Sequence, residues 1–147
     1  MKLLFTSLVR PHLEYAAAIW NPYMKKDIEK IEKLQHRATR IHCLKGLSYE
    51  KRCEKLCLPT LEDRRLRGDM IQMYKVLNGF DAINWHYPQE FVVESITRGH
   101  NKRIRKQIVK RANVRYQFFT NRITNNWNKL PQETIDSKNI NLFKKFF

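Results

Sequence analysis

Two stretches of this chain repeat their apolar residues at steps of three and four, a period that commits a polypeptide to amphipathic helix. Ile28, Ile31, Leu34, Ala38 and Ile41 mark one face of a helix expected from about Lys25 to Cys43. Asp27 and Glu29 stand near its start and Arg37, Arg40 and His42 near its end, an order that complements the helix dipole. Leu61, Leu66, Met70, Met73, Tyr74 and Leu77 mark the second helix. Thr60 opens it with Asp63 three residues on, a capping-box pattern with the shorter acid, and Asn78-Gly79 closes it. Between the two, Gly46 breaks the chain, Ser48 is a good N-cap for a short helix from Tyr49 to about Leu56, and Pro59 stops it.

The flanks are less regular. Leu4, Leu8, Leu13, Ala17 and Trp20 are spaced roughly as on a helix, but Pro11 removes an amide donor, so two short helices or one kinked helix are expected before Asn21-Pro22. From Asp81 to Ser95 the period fades, and we expect a loop with a short helix. Arg103 to Lys110 partly alternates and suggests an extended strand. A helix should follow, with Tyr116, Phe119, Ile123, Trp127 and Leu130 on one stripe and Pro131 at its end. Ser137 is placed to cap a last helix bearing Ile140, Leu142, Phe143, Phe146 and Phe147. The chain stops inside that helix, which we read as a truncated end. The expected architecture is mainly α: a small helical bundle over residues 1–80, then a basic, partly irregular region with one or two helices over 81–147.

With 147 residues, 42% hydrophobic and only nine Gly and Pro together, the chain is able to bury a core. Its 29 Lys and Arg against 14 Asp and Glu leave a net charge of +15. That excess points to a polyanionic partner, RNA or DNA first and an acidic membrane surface second. The longest apolar run, Ala16 to Trp20, falls far short of the ~20 residues a membrane span needs. Arg10 and Pro11 arrive too early for a secretory signal, and three cysteines suit a reducing compartment, so an intracellular site, nuclear or cytoplasmic, is expected.

The charge is concentrated. From Ser95 to Gln132 there is no acid, and ten Lys or Arg. Of these, Lys102, Arg103, Arg105, Lys106, Lys110, Arg111 and Arg122 are candidate phosphate contacts, together with Arg37 and Arg40 on the first helix and Arg64, Arg65 and Arg67 on the second. The plainer alternative is a solvated face, and on the first helix Glu29 and Glu32 offer surface pairing to Lys33. Tyr116, Phe118 and Phe119 suit either base stacking or a core, and the core is favoured. His42, Cys43, Cys53 and Cys57 lack the paired spacing of a zinc site and read as free thiols beside a histidine. No Gly-rich phosphate loop, GxSxG or HExxH occurs; Asp63 and Asp69 do not share a helix face, and Glu14 beside His12 and Tyr15 reads as a local polar cluster. We therefore expect no catalytic residue, metal or cofactor.

Three stretches, in one order, resemble the region after the palm of non-LTR (LINE-type, jockey-like) retrotransposon reverse transcriptases. They are Leu8-Val9-Arg10-Pro11-His12-Leu13-Glu14-Tyr15-Ala16 with Ile19-Trp20 and Pro22; Leu58-Pro59-Thr60-Leu61-Glu62-Asp63-Arg64-Arg65-Leu66-Arg67-Gly68-Asp69 with Tyr74-Lys75-Val76-Leu77-Asn78-Gly79; and Phe118-Phe119, Asn121-Arg122, Trp127-Asn128, Leu130-Pro131 with Phe143-Lys144. The resemblance implies a helical thumb and the basic region behind it, gripping a template–primer duplex or hybrid without sequence preference. It adds Arg10 to the candidate contacts and gives Arg64, Arg65, Arg67 and Arg122 the same role. The family's catalytic aspartates lie upstream in an Asp-Asp turn, and no adjacent Asp-Asp pair occurs here. The resemblance thus implies a polymerase fragment that binds RNA and DNA without its own chemistry. Faces that once met the palm would be bare and prone to self-association. The alternative is a non-enzymatic helical module that docks proteins through the Trp85–Val93 segment and the final helix.

Overall fold

The structure, a computed structural model, describes residues 2–84, 90–92 and 99–146 and is mainly helical. Most of the segment expected as a loop with a short helix, including Trp85, Tyr87 and Val93, lies outside the described residues, as does Phe147. The chain packs as two compact units, Met1–Leu66 and Arg67–Phe147. The division falls inside the Leu61–Leu77 helix, whose Asp69 and Tyr74 find their partners among residues 122–143.

The first unit opens on a continuous helical stretch, 2–14. Its middle, Phe5–Val9, is a π-helical turn flanked by Lys2–Leu4 and Arg10–Glu14. Proline explains the widening. Pro11 has no amide hydrogen, and in a regular helix its ring would crowd the carbonyl of Ser7. The Arg10 amide instead reaches five residues back to the Phe5 carbonyl, and the chain passes Pro11 without breaking. The helix stops at Tyr15, Ala16 takes a left-handed conformation (φ +50°), and a single turn, Ala17–Trp20, follows.

The Lys25–Ala38 helix ends earlier than its period suggests, and His42–Leu44 forms a separate 3-10 turn. Its buried positions are also displaced. Leu34 is exposed, whereas Gln35 and Thr39 are fully buried. Gln35 is the reason: its Nε2 donates to Tyr49 Oη and to the Pro59 carbonyl, both at 3.0 Å. Glu32 accepts from the Tyr49 hydroxyl and, at 3.0 Å, from the Leu61 amide at the start of the next long helix. Buried Arg52 donates to Thr39 Oγ1 and to the Leu47 carbonyl. Three helices of this unit are thus tied by a polar hub, beside a small apolar set that includes Phe5, Leu44, Cys53, Leu58 and Leu61.

Ser48 caps Tyr49–Leu56 as expected, accepting from the Lys51 amide. The helix closes on Cys57 in the left-handed region (φ +49°), with Leu58 N–H to the Cys53 carbonyl and Cys57 N–H to the Glu54 carbonyl. A side chain in that conformation costs roughly 1–2 kcal/mol, partly offset in glycine by its greater unfolded freedom. Cys57→Gly should therefore stabilise the protein by about 0.5–1 kcal/mol, read as a higher urea midpoint; an unchanged or lower midpoint would contradict this account. At Thr60 the capping box is half formed. Its hydroxyl accepts from the Asp63 amide at 3.1 Å but donates to the Asp63 carboxylate at 2.6 Å.

The second unit is built around aromatic side chains. Met70, Met73 and Tyr74 are buried on one side of the long helix, as are Phe119, Ile123 and Trp127 of the Phe119–Trp127 helix, Ile135 and Phe143. Tyr74 stacks on Phe143 with ring centres 4.3 Å apart and donates its hydroxyl to the Ser137 carbonyl. The expected single helix from Tyr116 to Leu130 is instead a short turn, Asn113–Tyr116, then Phe119–Trp127, leaving Tyr116 partly exposed. Asn139, not Ser137, caps the Ile140–Lys144 helix, accepting from the Leu142 amide at 2.9 Å. Ser137 donates to the Thr134 carbonyl. In that last helix Phe143 is buried and Leu142 exposed; the helix ends at Lys144, so Phe146, expected on it, lies beyond its end and is exposed.

Candidate nucleic-acid interface

After a turn at Asn101 and Lys102 the chain runs without helix through Gln107, but no strand ladder forms among the described residues. One antiparallel bridge joins Ile104 to Phe91, with Val92 N–H to the Arg103 carbonyl and Arg105 N–H to the Glu90 carbonyl. An extended chain presents alternate backbone groups to opposite edges. The Ile104 amide and carbonyl therefore face the other way, and there they meet a side chain. Asn128 Oδ1 accepts from Ile104 N–H and Asn128 Nδ2 donates to the Ile104 carbonyl, both at 2.9 Å. Asn121 repeats the arrangement one step along, accepting from Gln107 N–H at 2.9 Å and donating to the Gln107 carbonyl at 3.1 Å. The spacings match: seven helical residues span about 10.5 Å and three extended ones about 10 Å. Trp127 Nε1 donates to the Lys102 carbonyl at 2.9 Å on the same edge.

Three residues apart, Ile104 and Gln107 would face opposite edges of a regular strand, so the chain twists between them to meet both side chains, and the two carboxamides stand in for a neighbouring strand. Ile104 points into the core, 1% exposed, and the adjacent Arg103 and Arg105 fall on the opposite face. Gly99 (φ +148°) lets the Arg103 side chain lie close over the backbone, since a Cβ there would come within 3.2 Å of Arg103 Cδ. His100, buried, donates from Nε2 to the Trp127 carbonyl at 3.0 Å and sits edge-on to the indole. Burial holds its pKa below the ordinary imidazole value, so it anchors the segment as a neutral ring.

The cations along this segment are held in place. Lys106 Nζ lies 4.4 Å from the centre of the Tyr116 ring. Arg115 Nη2 donates to Gln107 Oε1 at 2.9 Å, and its guanidinium also covers Phe118. Lys102 Nζ donates to Asn78 Oδ1 at 3.1 Å. Arg105 stands 3.6 Å from Glu90, with both side chains about two-thirds exposed, a pairing that solvent screens strongly. Lys110 and Arg111 are exposed, as are Arg37 and Arg40 of the first unit.

The other sequence candidates point inward. Arg10 is buried and donates to Glu14 at 2.9 Å. Arg64 forks onto the same carboxylate, Nη2 donating at 2.7 Å. Burial opposes ionisation of Glu14, but the two guanidiniums outweigh it and hold the carboxyl below its usual pKa. Arg65 is 3% exposed; its guanidinium covers Trp20 at 5.3 Å and reaches the Leu13 carbonyl. Arg67 donates to the Lys144 carbonyl at 3.1 Å, capping the last helix. Arg122 binds Asp69 through two bonds of 2.8 Å. The five positions quoted in the resemblance thus make contacts within the chain, while the exposed Arg105, Lys110 and Arg111 lie between the second and third of those stretches.

Sequence reasoning assigned no role to Asn121, Asn128 or Gln107. The available signal was four asparagines between 121 and 128, a residue whose side chain competes with helical backbone bonding and is seldom repeated inside a helix without another partner. Cys43 and Cys57 are exposed free thiols and Cys53 is buried; among the described residues no group of three His, Cys, Asp or Glu is placed to hold a metal. No described helix is long and apolar enough to cross a membrane. No known protein family, curated protein or solved structure matches this chain.

Proposed function

We propose that this chain is the thumb and following region of a non-LTR retrotransposon RNA-directed DNA polymerase, and that it binds template–primer nucleic acid without a bond-making centre of its own. The observation that carries the reading is the basic segment 102–111, fixed at Ile104 and Gln107 by the side-chain amides of Asn128 and Asn121 and offering Arg105, Lys110 and Arg111 to solvent. A run of exposed cations suits a phosphodiester backbone, which carries charge at regular intervals and no base identity. Arg37 and Arg40 are further exposed cations on the same reading.

The test is a salt titration. The apparent affinity of the full chain for an RNA–DNA hybrid should fall steeply between low and physiological salt, with log K linear in log salt at roughly −0.9 per phosphate neutralised. Affinity independent of salt would refute it.

A second reading, a helical module that docks another protein, has one observation in its favour. Leu3, Leu4, Leu8 and Ile19 of the first unit are 58–81% exposed. Concentration-dependent self-association on sizing chromatography, together with no affinity for RNA or hybrid, would select it.

A further inference from the structure

Beside the pinned segment lies an open hollow of about 660 Å³, lined by Glu90, Arg105, Lys106, Ile108, Val109 and Arg115, with Gln107 in its wall. Its cations are placed in advance: Lys106 by Tyr116, and Arg115 by Gln107, whose backbone Asn121 holds in turn. Its acid is Glu90, which is exposed. Ile108 is the anomaly. It is 89% exposed in the lining of a cationic hollow, beside the half-buried Val109.

A duplex does not account for that apolar surface. Its bases are stacked on one another, and it meets a protein as a convex rod of phosphates and sugars. A single strand can turn one nucleotide inward, and every base has an apolar face. The volume falls within the range of small-ligand sites, about 300–1,000 Å³. We infer that the hollow is a subsite for one unpaired nucleotide of a single-stranded polynucleotide, with the phosphate against Arg105, Lys106 and Arg115 and the base over Ile108. This rests on the nucleic-acid reading above and narrows the substrate at this site from any backbone to an unpaired one. Asn121 acts here as a positioning residue, since it sets the register of Gln107 and so of Arg115.

The test uses the full chain and two labelled probes of equal length, oligo-uridylate and an RNA–DNA hybrid, followed by anisotropy at one salt concentration. Ile108→Ser removes an exposed side chain and leaves packing intact, so it should raise the Kd for oligo-uridylate about fivefold and leave hybrid binding within about twofold. Arg115→Gln should weaken oligo-uridylate binding about tenfold. The inference is overturned if Ile108→Ser leaves oligo-uridylate affinity unchanged, or weakens both probes equally. Salt-dependent hybrid binding combined with either result would remove the single-strand subsite and leave the broader reading standing. A wild-type chain that binds neither probe would remove both.

Discussion

Asp69→Ala is expected to cost about 3–5 kcal/mol of stability, the usual consequence of removing one partner of a buried ion pair. Asp69 has a side chain 3% exposed and Arg122 one 13% exposed, and they share two parallel bonds of 2.8 Å. Without the carboxylate, the Arg122 guanidinium stays desolvated next to Phe119, over whose ring it already lies at 5.7 Å. Urea unfolding followed by far-UV circular dichroism measures the loss. The double variant Asp69→Leu, Arg122→Met should recover most of it, because a well-packed apolar pair often matches or exceeds the ion pair it replaces. A single variant within about 1 kcal/mol of the wild type would show that the pair is not the structural tie described here. Arg122 is therefore assigned to the architecture of the second unit.

The second large effect is expected at Asn128. Asn128→Leu keeps approximate volume but strips both bonds from the Ile104 backbone, leaving an amide and a carbonyl unpaired beside the core. Each such group costs roughly 1–3 kcal/mol, so the expected loss is about 2–6 kcal/mol. Hydrogen exchange gives the sharper readout. The Ile104 amide should lose protection first, while Arg105 N–H, paired to the Glu90 carbonyl on the other edge, loses less. Equal protection of Ile104 in variant and wild type would mean that the side-chain edge does not hold the segment. On the nucleic-acid reading proposed above, affinity should fall with it, since the cations between residues 102 and 107 share that register.

The helices were legible because their causes are local. Tyr49–Leu56 follows from the Ser48 cap and Pro59, Leu61–Leu77 from its apolar period and Asn78-Gly79, and the Phe119, Ile123, Trp127 stripe from its spacing. The local rules failed where a side chain answered a distant partner. Gln35 displaced Leu34 from the interior because Tyr49 and the Pro59 carbonyl satisfied its amide. The extended segment stayed short of a strand because Asn121 and Asn128, fourteen or more residues away, took the edge a second strand would have filled. Pro11 was visible as a disturbance, but whether the chain would break or widen around it was not.

The charge tells the same story at the level of the interface. That this chain is basic and mainly helical follows from residue types and their order along the backbone. Which of its cations face solvent does not, because Arg64 and Arg122 look no different in sequence from Arg105 or Arg111. Arg10 meets Glu14 one turn along its own helix, but only packing carries Glu14 and Asp69 to within hydrogen-bond reach of Arg64 and Arg122. An ion pair needs its partner within a few ångströms of space, and chain separation says nothing about that distance until the helices have packed.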